Sequence, residues 1–219
     1  ARDSNHARKI ANELLYDDLN SAVQKRFPSL RYLSVARAGP WKLFTNKKLD
    51  SFDDLKGMKI RAPEIEGVIA GLQQVGAKPT VIPFNELYGA LQQGVVDGMA
   101  TLGNLMISQK FYEVVDYCYQ NDWGIGLDKQ MINQGAWNSL NKAHQSVLVD
   151  SFNELEPQDF FRATEEAEIS NFAKWRELNG EDSTPMLDAS AAQKTLEPAI
   201  RALADDIFGD GAYNRIQSI

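Results

Sequence analysis

The sequence predicts an α/β protein with a mainly parallel sheet, and residues 53–98 carry this prediction. In this stretch, short runs typical of strands alternate with longer segments whose apolar residues have helical spacing. Proline or glycine closes each segment. Strands that alternate with helices are typical of a parallel sheet with crossover helices, in which ligands bind at the carboxyl ends of the strands.

The central stretch divides into three predicted strands and two predicted helices. The strands are Lys59–Arg61, which Ala62-Pro63 closes, Thr80–Ile82, which Pro83 closes, and a strand that begins at Val95–Gly98. The first helix is Val68–Val75, which ends at Gly76. Asn85 can cap the second helix, which buries Leu87, Tyr88 and Leu91 and ends at Gly94.

The residues before the central stretch predict one helix and one interrupted strand. Ser4 or Asn5 can cap the helix, whose apolar face is Ile10, Leu14, Leu15, Leu19 and Val23 and which ends before Pro28. The strand is predicted over Leu30–Ala38, is broken by Gly39-Pro40, and resumes at Trp41–Thr45.

The residues after the central stretch predict a mixture of strands and long helices. We first expect a loop and short helix over Thr101–Gln109, followed by strands at Phe111–Tyr119 and Leu127–Asn133. A long helix is predicted from Lys142 toward Leu178, with Asn141 as its cap and a break near Pro157. A turn at Gly180–Pro185 then leads to a last helix at Ala189–Phe208, which bends at Pro198.

Composition and charge narrow the function. The chain has 219 residues, 43% hydrophobic and 24% charged, which is ordinary for a globular protein. A net charge of −7 argues against nucleic acid as a partner. The sequence contains no run of about 18 apolar residues, so we predict no membrane-spanning segment. The sequence shows no metal-ligand cluster and no phosphate loop, so we predict neither metal nor cofactor. The one cysteine, Cys118, is expected to be a buried small hydrophobic residue.

Arg61 is the first candidate for a ligand-binding residue. It lies at the end of a predicted strand, among residues that form sheets and turns. A partly buried arginine needs an anion, and its planar fork matches a carboxylate through two parallel hydrogen bonds. The partner could be a bound ligand, or it could be a protein carboxylate such as Glu64 or Glu66. The residues alone leave both interpretations open.

Three motifs resemble one family. They are DLKGMKIRAP (54–63), GAKPTVIPFNELYGALQQGVVDG (76–98) and QKFYEVVDY (109–117). The chain is similar to the extracytoplasmic solute-binding subunit of tripartite ATP-independent periplasmic (TRAP) transporters, of the C4-dicarboxylate-receptor type. The resemblance implies a two-lobed periplasmic binding protein fold with a hinged cleft, a periplasmic location, a small organic carboxylate as ligand and the membrane permease as partner. A receptor of the same fold that feeds a signalling system is the alternative.

The resemblance also implies how the chain divides. Residues 1–38 and 127–166 would form lobe I, and residues 39–126 and 167–219 would form lobe II. Gly39-Pro40 would then lie near the hinge, although an ordinary turn explains it equally well. The opening strands and helices of the family's first lobe have no counterpart here, so we expect lobe I to be incomplete.

The family's site transfers most directly at four residues. Arg61 matches the arginine that binds the ligand carboxylate, Pro63 and Glu64 match residues that line the pocket, and Phe84 matches an aromatic wall. The resemblance therefore implies that these four residues bind the ligand, and it favours a ligand over a protein carboxylate as the partner of Arg61.

At three further positions the chain departs from the family. Thr101 falls where many members carry an asparagine, Trp41 where several place a second arginine, and Trp123 where sialic-acid-binding members have a histidine. We predict that Trp41, Phe84 and Trp123 converge with Arg61 on one cleft. One strong cation and aromatic walls suit a cyclic or aromatic monocarboxylate, or a zwitterion, better than a dicarboxylate. Each tryptophan could instead fill the core.

An enzyme is the remaining alternative. Asp97 and Glu64 could act as base and acid, but no histidine, cysteine or serine constellation accompanies them. The more economical prediction for Asp97, which precedes a glycine at a strand end, is a structural hydrogen bond in the turn. We therefore predict a binding protein without catalytic residues.

Overall fold

A computed structural model describes residues 16–155 and 161–217 of the chain, and the structural statements below concern these ranges. The predicted helix cap at Ser4 or Asn5 and the predicted break near Pro157 lie outside them. The chain divides into two compact units. The first comprises Ala1–Gly39, Ile125–Glu166 and Asn214–Ile219, and the second comprises Pro40–Gly124 and Ala167–Tyr213. The identification of these units with two hinged lobes stays a prediction.

The described residues form strands and helices in the following order along the chain. The strands are β1 (Leu30–Thr45), β2 (Lys59–Ala62), β3 (Lys78–Val81), β4 (Gly98–Leu102), β5 (Tyr117–Cys118) and β6 (Gly124–Asn133). The helices are α1 (Tyr16–Arg26), α2 (Glu66–Gln74), α3 (Leu87–Gln92), α4 (Leu105–Ser108), α5 (Gln134–Ser139), α6 (Lys142–Leu155), α7 (Phe161–Asn179), α8 (Ser190–Phe208) and α9 (Ala212–Gln217). Single turns of 3-10 helix occur at Phe52–Leu55, Phe84–Glu86, Phe111–Glu113 and Glu181–Ser183.

The strands pair in the order β3-β2-β4-β1-β5, and β6 also pairs with β1. Strand β2 is parallel to both of its neighbours, so that Arg61 lies opposite Thr80 and Met99. Strand β1 is antiparallel to β4 and β5, and its Phe44 lies opposite Met99 and Cys118. The predicted α/β class is confirmed, with parallel pairing in the central stretch and antiparallel pairing along β1.

Two apolar clusters cover the two faces of the sheet in the second unit, because successive side chains of a strand point to opposite faces. On one face, Leu43, Ile60 and Ala100 pack with Leu72 of α2. On the other face, Phe44, Met99 and Cys118 pack with Trp175 of α7. We call these the α2 face and the α7 face. Cys118 is fully buried, as predicted, and burial holds the pKa of its thiol well above the usual value.

The predicted strand at Phe111–Tyr119 is wrong for most of its length. Residues Phe111–Glu113 form a turn of 3-10 helix, and the strand is limited to Tyr117–Cys118. Phe111, Val115 and Cys118 are buried in the α7-face cluster. Their spacing of four and three residues is helical, so the buried residues of this segment do not alternate as strand residues do.

The predicted break at Gly39-Pro40 is also wrong, because β1 continues through it from Leu30 to Thr45. The glycine has a φ of 108°, a conformation that residues with a Cβ rarely adopt. The strand thus passes from the first compact unit to the second at a residue with unusual backbone geometry. Within the described ranges, no helix has the length and apolar character needed to cross a membrane.

Candidate functional site

The candidate site lies at the edge of the sheet where the parallel strands end. Strands β2 and β4 end there at Ala62 and Leu102, and β3 ends at Val81. Because β1 is antiparallel to β4, Trp41 lies opposite Leu102 at the same edge. We call this edge the carboxyl edge. It is where an α/β sheet most often binds a ligand.

Arg61 is buried at the carboxyl edge, with 3% of its surface exposed. Its Nε donates a hydrogen bond of 2.9 Å to the carbonyl oxygen of Ile82, just after β3. Its Nη1 donates a longer one, 3.5 Å, to the carbonyl oxygen of Ala100 in β4. The two neighbouring strands therefore fix the plane of the guanidinium group. Burial lowers its pKa, yet an arginine stays protonated at neutral pH.

The guanidinium group of Arg61 forms no ion pair with any carboxylate in residues 16–155 and 161–217. Glu64 and Glu66, which could have neutralised it, are both exposed. Its Nη2 forms no hydrogen bond within those ranges and is not sealed from solvent. Nε of Arg61 is thus bound to the main chain, whereas Nη2 has no hydrogen-bond partner within those ranges.

Two other predicted site residues lie on the same face of the sheet as Arg61. Thr101 follows Met99, the neighbour of Arg61, by two residues and is 2% exposed, so its side chain lies on the same α7 face as that of Arg61. Phe84 is 43% exposed and packs edge-on against Phe111, with 6.3 Å between the ring centroids. Phe84 therefore keeps much of an aromatic surface open on this side of the sheet.

Trp41 and Trp123 lie on the α2 face. Both are partly buried against the cluster there, and the ring of Trp123 packs on Phe52, with 5.9 Å between centroids. The main-chain N–H of Trp123 donates a 2.8 Å hydrogen bond to the carbonyl oxygen of Trp41. The structure thus brings the two tryptophans together, but on the face opposite Arg61. Their convergence with Arg61 on one cleft stays a prediction.

The remaining predicted residues occupy opposite ends of the sheet. Pro63 is half-buried and Glu64 is exposed, directly after β2. Asp97 precedes β4 at the other end, where its Oδ2 accepts a 2.7 Å hydrogen bond from the N–H of Lys59. Asp97 thus makes a structural hydrogen bond, as predicted, but with the first residue of β2 and not within the turn. The separation of Asp97 and Glu64 across the sheet does not suit an acid–base pair.

One charged residue beside the site was missed at the sequence level. Lys42, on β1, lies opposite Thr101 of β4 and is 1% exposed. Its Nζ forms ion pairs of 2.6 Å with Asp122 and 2.7 Å with Glu168. These partners neutralise its charge, so Lys42 is not a second cation for a ligand. The available signal was a lysine at a buried position of a strand, next to Trp41 and Leu43.

Comparisons with known proteins identify the family. Residues 1–206 match the model of the family described as bacterial extracellular solute-binding protein, family 7. The chain is 26% identical over 182 residues to the sialic acid-binding periplasmic protein SiaP of Vibrio cholerae, covering 82% of this chain and 56% of that protein. It is 30% identical over 121 residues to the C4-dicarboxylate-binding periplasmic protein DctP of the same species, covering 55% and 36%.

A solved structure shows the same fold. A TRAP periplasmic solute binding protein from Desulfovibrio salexigens, crystallised with bound orotic acid, superposes with a TM-score of 0.88 at 24% identity. The match covers 100% of this chain and 70% of that one. The chain spans about half the length of the curated relatives it matches.

Proposed function

Because the chain belongs to the bacterial extracellular solute-binding proteins of family 7, we propose that it captures a small organic carboxylate and delivers it to the membrane permease of a TRAP transporter. The family match confirms the resemblance inferred from the central motifs, and the family is one of binding proteins rather than enzymes. The observation that carries the proposal is Arg61, a buried guanidinium group without a carboxylate partner among the described residues.

The geometry of Arg61 supports one mode of carboxylate binding. Its Nε donates to the carbonyl oxygen of Ile82 and its Nη1 makes the longer bond to Ala100, which leaves the remaining N–H groups of Nη1 and Nη2 for two parallel hydrogen bonds to the ligand. Hydrogen bonds to charged groups contribute about 1.5–3 kcal/mol each. The hydroxyl of Thr101, on the same face, is a candidate for a further bond, in place of the asparagine of many relatives.

The ligand class that the site favours is a monocarboxylate with a flat or cyclic body. Arg61 supplies one unneutralised cation, whereas the charge of Lys42 is taken up by Asp122 and Glu168. Phe84 offers an open aromatic surface on the face of Arg61. A second ligand carboxylate would find no free cation from Lys42, and burying it unpaired costs several kcal/mol. A zwitterion with its cationic group over an aromatic ring fits the same chemistry.

The setting proposed for this activity follows the relatives. SiaP and DctP of Vibrio cholerae are both periplasmic, and we propose the same location for this chain. The proposed partners are the organic carboxylate and the permease subunits, without metal, cofactor or nucleic acid. Pro63, Glu64, Trp41 and Trp123 complete the proposed set of ligand-binding residues at or just beyond the carboxyl edge.

A thermal-shift screen of carboxylates tests the proposal. A ligand at a hundred times its Kd stabilises the folded state by about 2.7 kcal/mol, so tighter binding raises the melting temperature more. Cyclic or aromatic monocarboxylates are therefore expected to raise the melting temperature more than succinate or malate. Arg61→Met is the control, and it should abolish the shift. The largest shift from succinate or malate, with cyclic monocarboxylates inert, would contradict the ligand class; no shift from any carboxylate would contradict the function.

A further inference from the structure

We propose that Lys42 is a positioning residue that holds three segments of the second unit together as one block. Each of these segments lies next to a place where the chain passes between its two compact units. This role is distinct from solute binding, and its test needs no ligand. The observations that carry it are the places where the chain changes unit and the three bonds of one buried ammonium group.

The chain passes between the units at four places, and the bonds of Lys42 lie next to three of them. At the first passage, β1 enters the second unit at Pro40. At the second, the chain leaves that unit after Gly124, where β6 begins. At the third, α7 enters the second unit again at Ala167. Lys42 lies just after the first passage, Asp122 just before the second, and Glu168 just after the third. The fourth passage, after Tyr213, takes no part.

The Lys42 ammonium group forms two hydrogen bonds and one further ion pair. Nζ lies 2.6 Å from Oδ1 of Asp122, 2.8 Å from the carbonyl oxygen of Gln120 and 2.7 Å from Oε1 of Glu168. It also lies 5.1 Å from the centre of the Phe172 ring on α7. Two carboxylates and one carbonyl oxygen thus surround the positive charge of Lys42.

The stem of Lys42 is packed as tightly as its charged end. A Cβ on Gly103, just after β4, would lie 3.0 Å from Cγ of Lys42, so glycine leaves the room that the lysine needs. The lysine also lies directly opposite Thr101. The block that Lys42 holds therefore includes the carboxyl edge beside Arg61.

The charges make the three segments depend on one another. Either carboxylate alone can neutralise Lys42, but the loss of both would leave a buried cation unpaired, which is far more costly than the loss of one. Asp122 and Glu168 lie on different segments and are coupled through the lysine they share. If Lys42 stabilised only its own strand, the loss of one carboxylate would not destabilise the segment that holds the other carboxylate.

Hydrogen exchange followed by mass spectrometry tests this coupling. Lys42→Met keeps the length of the side chain and removes its charge, so protection should fall by about tenfold or more together in residues 41–45, 119–124 and 167–172. Lys174→Met is the matched control, because Lys174 lies on α7, the helix of Glu168, and forms an exposed ion pair with Glu177. It should leave all three segments unchanged. Loss of protection confined to residues 41–45 would overturn the proposal.

A double-mutant cycle keeps the proposal testable if Lys42→Met does not fold. Asp122→Asn and Glu168→Gln each remove one charge and leave Lys42 in place. The double variant should lower the folded-to-unfolded ratio by at least about tenfold more than the product of the two single effects. Independent effects of the two variants would overturn the proposed role of Lys42.

Discussion

Arg61 and Lys42 are buried cations on the same face of one sheet, and their partners separate their roles. Lys42 is surrounded by two carboxylates and a carbonyl oxygen. Arg61 is held by two carbonyl oxygens, which orient the guanidinium group but do not neutralise it. An acidic chain of net charge −7 can attract an anion only where positive charge is concentrated locally, and Arg61 supplies that charge.

Phe84 gives a prediction at the scale of one residue. It is 43% exposed, so Phe84→Ala should change the free energy of unfolding by less than about 1 kcal/mol, while it weakens binding of the best monocarboxylate. Its neighbour Phe111 is 2% exposed and is the matched control: Phe111→Ala should destabilise the fold by about 3–5 kcal/mol. Urea unfolding and calorimetry measure the two effects. Unchanged affinity in Phe84→Ala would exclude Phe84 from the site.

At the scale of elements, the sequence predicted best what local chemistry decides. The succession from β2 to β4 was correctly predicted, because Pro63, Gly76, Pro83 and Gly94 mark the ends of strands and helices that are close in the chain. The network of Lys42 could not be predicted in this way. Its partners come from segments far along the chain: the pairing of β5 with β1 brings Asp122 near, and the packing of α7 on the sheet brings Glu168.

The site shows the same limit. Sequence similarity indicated Arg61 and Thr101, and the parallel register of β2 and β4 places them on one face. The similarity could not show that Trp41 faces the other way, because that depends on the alternation of side chains along β1 and on its antiparallel pairing with β4.

Gly98 gives a prediction at the scale of the sheet. It lies opposite Thr45 of β1 and Ile60 of β2, and a Cβ there would collide with the carbonyl oxygen of Phe44. Gly98→Ala should therefore push β1 and β4 apart and destabilise the fold by about 1–3 kcal/mol. Gly89→Ala in α3 is the control; a Cβ there has space, and helix propensity predicts a gain of up to about 1 kcal/mol. Equal denaturation midpoints for the two variants would contradict this account of the sheet.

At the scale of the whole molecule, the chain divides into two compact units. The second unit alone holds Arg61, Thr101 and Phe84, together with the network of Lys42 at three of the passages to the first unit. Arg61 therefore belongs to a sheet that carries a buried apolar cluster on each face. The proposed transport function rests on that arginine.

Calorimetric titration of Arg61→Lys with the best carboxylate from the screen tests the central claim most directly. Lysine keeps the positive charge but loses the two-pronged end that Arg61 presents, so affinity should fall by at least about 1.5 kcal/mol, roughly tenfold or more. Arg201→Lys is the matched control, since Arg201 is a half-buried arginine on α8 that pairs with Glu197, and it should bind as the wild type does. Equal affinity in Arg61→Lys and wild type would contradict the account and make Arg61 a structural residue of the sheet.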